Sequence, residues 1–451
     1  MQTSPRLPGS VRIGYSLGSL TSGAFGTVPG LLLLPYLTDS LGVAAGLAGV
    51  LVLAPKAWDV ILNPIAGRIS DRTKTRIGAR RPYLLAGGIA SGVLFTGIFA
   101  GPFGATSGAP AWAAIMFVLC ATAYGFFQVP FVALPAELTD DYTERTRLMT
   151  WRIALLAVAI LICGAVAPAI ANSTDDSIVG HRYMGIFVGA IMVIGAVAAF
   201  AGTRRASTSA VTESSPSFRA QFAVARRNGS YLSLFLCFVI QAAGIATMLA
   251  GVNYFADHVL HSPKDGPTFL FAAFVGPAIL VMPLWSMIGG RLGKLRGFVI
   301  SSLLFAAGAA LVGAVGWFEA PAWLAYVATA IVGVGYAGEQ VFALAMLADC
   351  IAVDTARTGQ QQGGVFAGLW TAGETLGLAV GPGIFALFLQ FSGYVSSTSG
   401  QSVVQPGAVR AAVILGFTLA PALLVAGGLF LMRRYRLTAA EVAAASTSTS
   451  A

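Results

Sequence analysis

Charged residues are scarce in this chain. They make up 10% of its 451 residues, whereas hydrophobic residues make up 56%. An ordinary soluble domain carries about 25% charged residues, and a chain with so few cannot cover a water-facing surface. The mean hydropathy of +0.79 points the same way. The composition therefore excludes a soluble enzyme, a nucleic-acid-binding protein and a disordered scaffold.

Cysteine and histidine are also rare. The cysteines are Cys120, Cys163, Cys237 and Cys350, and the histidines are His181, His258 and His261. The cysteines lie in or at the ends of apolar segments without zinc or disulfide spacing, so we interpret them as small core residues. The histidines fall in or near predicted outer loops, where we expect them to be solvated. Since no metal or catalytic constellation is present, we expect no enzyme activity, no metal site and no cofactor.

Long apolar runs dominate the chain instead. A membrane-spanning helix needs about 20 mostly apolar residues, and twelve segments meet this requirement. The segments are 12–38, 43–67, 82–103, 111–136, 148–171, 183–203, 231–256, 267–289, 297–317, 321–347, 363–391 and 408–432. The sequence therefore predicts an all-α membrane protein with twelve transmembrane helices.

Lysine and arginine are distributed unequally between the two predicted sides. Of 27 such residues, 22 fall on the side that carries both termini, and three (Arg182, Lys264 and Arg410) fall on the other. Positive residues concentrate in cytoplasmic loops, so we expect both termini in the cytoplasm and the chain in the cytoplasmic membrane. The net charge of +9 is then a topology signal, and we expect membrane lipid and no nucleic acid as a partner.

A polar stretch at 204–228 divides the spans six and six. We predict an N-terminal half (1–203), a cytoplasmic linker (204–228), a C-terminal half (229–435) and a disordered tail (436–451). A glycine turn followed by cations recurs at Gly67 and at Gly290, which indicates a duplicated unit. Two six-helix halves around a mid-membrane substrate cavity are typical of secondary transporters. In the first repeat we expect Asp71 and Arg72 to form a conformational latch.

Five charged residues interrupt the predicted spans. They are Lys56, Asp59, Arg152, Glu339 and Glu374. A charge at mid-membrane costs about 2.5–3.5 kcal/mol on insertion scales, so each is a candidate for function. Glu339 fits a cavity lining or a structural role equally well. Arg152 fits substrate binding, or snorkelling at the cytoplasmic edge.

The second span brings Lys56, Asp59 and Asn63 onto one helix face, since they are three and four residues apart. The carboxylate and amide oxygens fit a Na⁺ site, and the carboxyl group alone fits a proton carrier. A neutral Lys56–Asp59 pair that only stabilises the bundle is the structural alternative. We predict that Asp59 and Asn63 couple transport to a cation and that Lys56 contacts substrate.

Other polar residues pair at helical spacing. Trp370 and Glu374 are four residues apart, as are Tyr124 and Gln128. An aromatic ring beside an acid is a plausible lining for a cavity that holds a cationic or hydroxyl-bearing solute. The alternative for Glu374 is an ion pair with Arg152 or Lys56. We include all four residues and Gln340 among the candidate substrate-binding residues.

Several segments are similar to one known family, the glycoside–pentoside–hexuronide:cation symporters of the major facilitator superfamily. The segments are Gly14–Gly18, Tyr36–Gly42, Trp58–Pro64, Gly67–Pro82, Glu144–Arg147 with Arg152, Ala348–Asp349 and Gly393–Tyr394. The resemblance covers nearly the whole chain and implies the major facilitator fold. It also implies alternating access and uptake of a solute with Na⁺, Li⁺ or H⁺.

The chain departs from the family pattern at its polar positions. The second cation-binding aspartate of the family falls on Asn63, and the two sugar-binding aspartates fall on Gly23 and Gln128. The family's helix 11 lysine falls on Glu374, and its helix 10 tryptophan falls near Gln340. Loss of these carboxylates weakens the expectation of a melibiose-like sugar grip and of Na⁺ coupling.

The sequence therefore predicts a monomeric carrier of a small organic solute that is sugar-like or amphipathic. We expect symport with H⁺ in preference to Na⁺. The alternatives are a proton-driven exporter of the same superfamily and, less favoured, a membrane protein without transport activity. Acids within three spans argue against the last of these.

Overall fold

The computed structural model describes residues 7–101, 108–139, 142–204, 206, 226–358, 363–399, 401, 403–438 and 440–442. Almost all of these residues are helical, and within these ranges no β-sheet forms; an isolated bridge joins Leu41 and Thr398. Helices are expected, because a backbone in lipid must satisfy its own hydrogen bonds. Most of the predicted linker (204–228) and of the predicted tail (436–451) lies outside the described residues.

The first predicted span is not one regular helix. It consists of α1 (Gly9–Leu17), α2 (Ser19–Val28) and two π-helical segments, Pro29–Leu33 and Tyr36–Ser40. Each π segment coincides with a proline, at position 29 or 35, which has no backbone N–H to give to the regular ladder. The second π segment includes Asp39 and Ser40.

Within the described ranges, eleven further helical segments are long and apolar enough to cross a membrane. In unit 1, defined below, they are α3 (Ala45–Arg72), α4 (Arg81–Phe99), α5 (Ala109–Ala133), α7 (Tyr142–Ala171) and α8 (Ser177–Thr203), with the short α6 (Pro135–Leu138) after α5. The next five are α9 (Gly229–His258), α10 (Gly266–Leu292), α11 (Lys294–Trp317), α12 (Ala322–Thr358) and α13 (Gly363–Phe391). The last segment joins α14 (Gly407–Ile414) to α15 (Ala420–Leu431) through a π turn. With the interrupted first segment, these helices confirm the twelve predicted spans.

The chain forms two compact units. Unit 1 contains residues 1–213 together with Ser262–Thr268 and Tyr394–Pro406, and unit 2 contains residues 214–261, 269–393 and 407–451. Unit 1 thus holds α1 to α8, and unit 2 holds α9 to α15 except for the first three residues of α10. The domain boundaries expected from the sequence stay predictions.

Each unit has an apolar core of its own. In unit 1, Tyr15 stacks on Phe131 with ring centroids 4.7 Å apart. In unit 2, Phe238 stacks on Trp370 at 4.1 Å. All four cysteines are buried, which confirms their interpretation as core residues.

The expectation of solvated histidines is wrong for His181. This residue is 6% exposed inside α8, where its Nδ1 lies 2.7 Å from the carbonyl oxygen of Ser177. Its ring packs beside Tyr36 at 4.8 Å. The helix begins six residues before the predicted span (183–203), and this places His181 inside the bundle. His258 is partly buried and His261 is exposed.

Asp176 sets the start of α8. Its Oδ1 accepts hydrogen bonds from the backbone N–H groups of Ile178 and Val179, as an N-cap residue does. The same oxygen accepts from the hydroxyl group of Ser399, at 2.9 Å. These hydrogen bonds, that of Ser399 most of all, hold the pKa of Asp176 below its ordinary value.

Candidate functional site

Asp59 lies at the middle of α3, fourteen residues after Ala45 and thirteen before Arg72. It is 5% exposed, and among the described residues its Oδ1 has no hydrogen-bond partner. Lys56, one turn earlier, interacts with it electrostatically, as the spacing predicts. α3 therefore holds a buried carboxyl group beside an ammonium group.

Lys56 also contacts an aromatic pair from two other helices. Its Nζ lies 4.8 Å from the centroid of the Phe25 ring, which belongs to α2. Phe25 in turn stacks on Tyr124 of α5, with centroids 3.9 Å apart. A cation over a ring face is attracted by the ring quadrupole, more strongly where water is excluded. The structure therefore brings together Lys56, Asp59 and Tyr124, and it adds Phe25, which the sequence analysis did not single out.

The Asn63 side chain faces α5. Its Oδ1 lies 3.4 Å from where a Cβ atom would stand on Gly125, so the two helices approach closely there. A second link is the Trp58 Nε1–H, which donates to the Thr122 hydroxyl group at 3.0 Å. The amide oxygen of Asn63 thus sits in the α3–α5 contact, one turn from Asp59.

Gln128 of α5 is held by α2. Its Oε1 accepts a hydrogen bond from the Ser22 hydroxyl group at 2.6 Å. Where the resembled family places a carboxylate, this chain has an amide that is already engaged with a neighbouring helix. Tyr124 and Gln128 therefore share a helix face, as predicted, and both contact α2.

The other family aspartate position, Gly23, has no room for a side chain. A Cβ atom placed on Gly23 would lie 2.6 Å from the Cβ atom of Ala159 and 3.2 Å from the carbonyl oxygen of Leu156. Cβ contacts under 3.0 Å force a neighbour to move. The α2–α7 contact therefore fills the space that a carboxylate would need.

Arg152 of α7 stacks on an aromatic ring. Its guanidinium carbon lies 5.3 Å from the centroid of Phe131, and its Nη1 is 3.8 Å from the sulfur of Met149. The Phe127 ring lies between the other two rings, with its centroid 5.2 Å from that of Phe131 and 6.4 Å from that of Tyr124. A row of rings thus links the Arg152 position to the Lys56 position within unit 1.

In unit 2, the predicted residues Gln340 and Glu374 meet at a tyrosine. Tyr336 of α12 interacts electrostatically with the Gln340 side chain and with Glu374 of α13. Sequence reasoning missed Tyr336, although it is four residues before Gln340 and so shares its helix face. These three residues form a polar group in unit 2, and two of them, Gln340 and Glu374, are predicted positions.

Trp370 lies apart from this group in its contacts. Its side chain is 3% exposed and packs face to face against Phe238, while its Nε1 is buried and has no hydrogen-bond partner within the described ranges. A buried indole N–H usually has a partner. Trp370 therefore combines a packing role with an unused donor.

Glu339 is buried, with 2% exposure, and its surroundings differ from those of Glu374. Its carboxyl group interacts with Ser302 of α11. Glu339 therefore lies against a neighbouring helix of its own unit, and its role stays a prediction.

At the arginine-rich ends of the spans, ion pairs join neighbouring helices. Arg80 pairs with Glu137 at 2.9 Å, and Glu144 lies between Arg12 and Arg147 at 3.3 and 3.1 Å. In unit 2, Lys294 of the second repeat pairs with Asp349 at 2.7 Å.

The predicted latch residues are not part of these ion pairs as far as the structure describes them. The Arg72 side chain is exposed, and that of Asp71 lies outside the described residues. The latch stays a prediction. No group of three or more His, Cys, Asp or Glu residues that could hold a metal ion occurs in the searched part of the chain.

Comparisons with known proteins show the family of the chain. The family model described as "MFS/sugar transport protein" matches residues 14–439. The chain is 26% identical over 450 residues to the putative glycoside/cation symporter YagG of Escherichia coli (strain K12), covering 96% of this chain and 93% of that protein. It is 27% identical over 392 residues to a glucuronide carrier protein homolog of the same organism, covering 85% and 84%.

A solved structure shares the fold. A bacterial homologue of the human lysosomal transporter Spinster superposes with a TM-score of 0.66 over 98% of this chain and 96% of that chain, at 14% sequence identity. The likeness shows the major facilitator fold.

Proposed function

Because the chain belongs to the MFS/sugar transport protein family of the major facilitator superfamily, we propose that it is a proton-coupled symporter of a sugar-like solute. A secondary transporter, rather than an enzyme, follows from the family and the relatives. The proposal adds the coupling ion, the substrate class and the residues. The observation that carries it is the buried Asp59 carboxyl group beside Lys56.

Protons are favoured over Na⁺ by the groups around Asp59. Na⁺ is held by several oxygen ligands with net negative charge, whereas here the second acid is Asn63 and the nearest charge is the ammonium group of Lys56. The ammonium group of Lys56 repels Na⁺, whereas it attracts the ionised carboxylate of Asp59. A carboxyl group removed from water is stable either neutral or beside a cation, so one proton switches Asp59 between these two states.

The substrate class is argued from both the relatives and the residues. Relatives are named as a glycoside/cation symporter and a glucuronide carrier homolog. In unit 1, Tyr124 and Gln128 offer hydroxyl and amide groups, and Lys56 and Arg152 offer cations stacked on Phe25 and Phe131. Sugar rings pack on aromatic faces, and an acidic sugar would also meet a cation. We therefore include glucuronides with neutral glycosides, and we keep amphipathic solutes as the alternative class.

The remaining parts of the proposal come from charge distribution and family. The excess of arginine and lysine on one side supports a chain with both termini in the cytoplasm. Asn63 assists Asp59, while Gln340, Trp370 and Glu374 belong to the substrate-binding residues of unit 2. Asp71 and Arg72 form the conformational latch. We propose that a single chain is the transporting unit.

The test uses the full chain reconstituted in liposomes with a pH-sensitive dye inside. Radiolabelled glycosides and glucuronides are offered with an imposed pH gradient or with a Na⁺ gradient. We expect solute accumulation with the pH gradient and proton entry when solute is added. The Asp59→Asn variant should lose accumulation and keep part of the solute exchange, whereas Asp175→Asn, a change at a fully exposed side chain, should behave as the parent.

Three results would contradict the proposal. Accumulation driven by a Na⁺ gradient alone would show that the coupling ion is Na⁺ and not H⁺. Solute movement against the proton flux would indicate an exporter. Uphill accumulation by Asp59→Asn at the parent level would remove Asp59 from coupling.

A further inference from the structure

Unit 2 contains a buried acid that the proposed coupling scheme does not use. Glu339 is 2% exposed and lies near the middle of α12, seventeen residues after Ala322 and nineteen before Thr358. An acid in the middle of a membrane helix is a candidate for function by position alone. Its side chain lies against two neighbouring helices, α9 and α11.

Two polar side chains from different helices meet Glu339. Gln241 of α9 is 2% exposed, and Ser302 of α11 is fully buried. The Gln241 Nε2 donates a hydrogen bond to the Ser302 hydroxyl oxygen at 2.9 Å. The Ser302 hydroxyl group also interacts electrostatically with the Glu339 carboxyl group. Three polar residues from α9, α11 and α12 thus form one buried cluster, which we call the Glu339 cluster.

Close helix packing brings these groups together. A Cβ atom on Gly338 would lie 2.4 Å from the Cβ atom of Ser301 and 2.8 Å from the Trp285 ring. Only glycine therefore allows α12 to approach α10 and α11 so closely at this level. The residue after this glycine is Glu339, so the tight contact places its side chain against the neighbouring helices.

No cation balances Glu339 in the part of the chain that the structure describes. The titratable groups that interact with it are the Cys237 thiol of α9 and the Tyr336 phenol of α12, and Glu374 of α13 acts on that same Tyr336. From α10 and α11 the neighbours at this level are Trp285, Ser301 and Ser302, which carry no charge. A carboxylate here would be a buried charge with only dipolar partners, which is costly.

The cluster is short of hydrogen-bond donors. Within the described residues, Glu339 Oε1 and Gln241 Oε1 are both buried without a hydrogen-bond partner. Both atoms are acceptors when Glu339 is ionised. One added proton turns the carboxylate into a carboxylic acid, which removes an acceptor and supplies a donor. A single proton thus provides the hydrogen-bond donor that the cluster lacks.

We propose that Glu339, with Gln241 and Ser302, forms a second proton-binding site that lies in unit 2 and is separate from Asp59. The proton bonds to a carboxyl oxygen of Glu339, and no other bond forms or breaks. The carboxylic acid is held by the Ser302 hydroxyl group, which itself is held by the Gln241 amide.

Ser302 suits a site that gains and loses a proton. A hydroxyl group is both a donor and an acceptor, and its hydrogen rotates to suit its neighbours. It accepts from a protonated Glu339 and donates to an ionised Glu339, while it accepts from Gln241 Nε2 in both states. A backbone N–H group at this position could only donate and would serve only the ionised state, and an apolar residue would serve neither state.

The role of this site in transport rests on the proposed function, but its existence does not. If the carrier is a proton symporter, the Glu339 cluster gives unit 2 a proton of its own, so that a cycle can move one at each unit. The test therefore measures protonation of the protein alone, without any solute.

The experiment is infrared spectroscopy of the full chain in lipid nanodiscs, titrated with acid in deuterated buffer. A carbonyl stretch of a carboxylic acid, resolved from the amide bands, reports each buried acid that takes a proton. We expect the parent to gain a component that Glu339→Gln lacks and that Asp59→Asn keeps. Ser302→Ala should keep the component at a shifted frequency, because its hydrogen bond is lost.

The controls separate protonation from folding. Ser301→Ala changes a neighbouring buried serine that donates within its own helix to the Phe298 carbonyl oxygen, so it should leave the component unmoved. Thermal unfolding of each variant shows that it folds, and Glu339→Gln is close in shape to a neutral Glu339.

Defined results would overturn the proposal. If Glu339→Gln showed the titrating carbonyl band at the parent amplitude, the band would belong to another acid. A Glu339 band that stays constant at every pH where the protein is folded would show a permanently neutral structural acid. A carboxylate band that responds to Na⁺, with choline as the control, and not to acid would make the cluster a Na⁺ site. If Asp59→Asn lost the titrating band and Glu339→Gln kept it, Glu339 would not take up a proton. That result would support only the proposed coupling role of Asp59.

Discussion

Unit 1 and unit 2 each bury one carboxyl group near the middle of a long helix, and they stabilise it differently. Asp59 in unit 1 has Lys56 one turn away and Phe25 and Tyr124 nearby. Glu339 in unit 2 has Ser302 and Gln241 and, among the described residues, no ion-pair partner. A buried acid can therefore be supported by opposite charge or by neutral hydrogen-bonding groups. The support of Asp59 therefore changes when the charge of Lys56 is removed. The support of Glu339 changes when its carboxyl group gains or loses a proton.

The largest effect should come from separating Lys56 and Asp59. Lys56→Met and Asp59→Asn each remove one of two oppositely charged groups that interact inside the bundle, and the loss of stability should reach at most roughly 3–5 kcal/mol, the cost of breaking a fully buried ion pair. The double variant should recover much of this loss, because neither charge remains. For Lys56→Met the loss should shrink as the pH falls, because the proton then neutralises Asp59.

The free energy of unfolding in detergent, measured for all four proteins, gives the coupling between the two side chains. Equal losses for the double variant and the sum of the single variants would show that the two residues act independently, and would remove the distinction between the units.

The neutral support in unit 2 is tested by Ser302→Ala. Removing a buried hydroxyl group leaves Gln241 Nε2 and Glu339 without their shared partner, and an unsatisfied buried polar group costs about 1–3 kcal/mol. The matched variant Ser301→Ala should cost less, because the Phe298 carbonyl group keeps its place in the helix ladder. Thermal unfolding of the two variants, side by side, measures the difference. A larger loss for Ser301→Ala would show that helix packing, and not the polar cluster, dominates here.

A smaller change should follow from a second acid in unit 1. Asn63→Asp would restore two carboxylates four residues apart on α3, one turn from each other. We expect Na⁺ to stabilise this variant, or to stimulate its uptake of glycosides, about tenfold more effectively than the parent, which corresponds to ~1.4 kcal/mol. Asn63→Gln, which adds no charge, is the control. An equal response of both variants to Na⁺ would show that charge at position 63 does not select the ion.

The smallest effect concerns an acid that lies outside the membrane. The Ser399 hydroxyl group and the N–H groups of Ile178 and Val179 lower the pKa of Asp176. A carboxyl group with a lowered folded-state pKa stabilises the fold above its unfolded-state pKa, and this contribution is lost as the pH falls through the folded-state value. Acid titration of the melting temperature should show this small loss in the parent, less of it in Ser399→Ala and none in Asp176→Asn. A parent curve that matches Asp176→Asn would rule out the cap as its source.

Sequence reasoning located the acids and the partner of Asp59, but not the partners of Glu339. Asp59, Lys56 and Asn63 share a helix face by spacing alone, and the structure keeps them there. Glu339 could not be assigned, because Ser302 and Gln241 are 37 and 98 residues away in the chain, and no local pattern joins them. Tyr336 was within reach, since it precedes Gln340 by four residues. His181 was misjudged, because its exposure depends on where α8 begins and on the Tyr36 ring beside it.

Hydropathy and charge placement by themselves determined the twelve spans, because lipid requires about 20 apolar residues and a satisfied backbone wherever the chain crosses. The sequence also determined that an acid stands beside a lysine on the second span. Only the tertiary structure decided that Gly23 has no space for the family's carboxylate, that Gln128 is engaged by Ser22, and that Glu339 meets a hydroxyl group instead of a cation. These depend on how closely helices far apart in the chain approach, and that distance is set by side-chain packing between them.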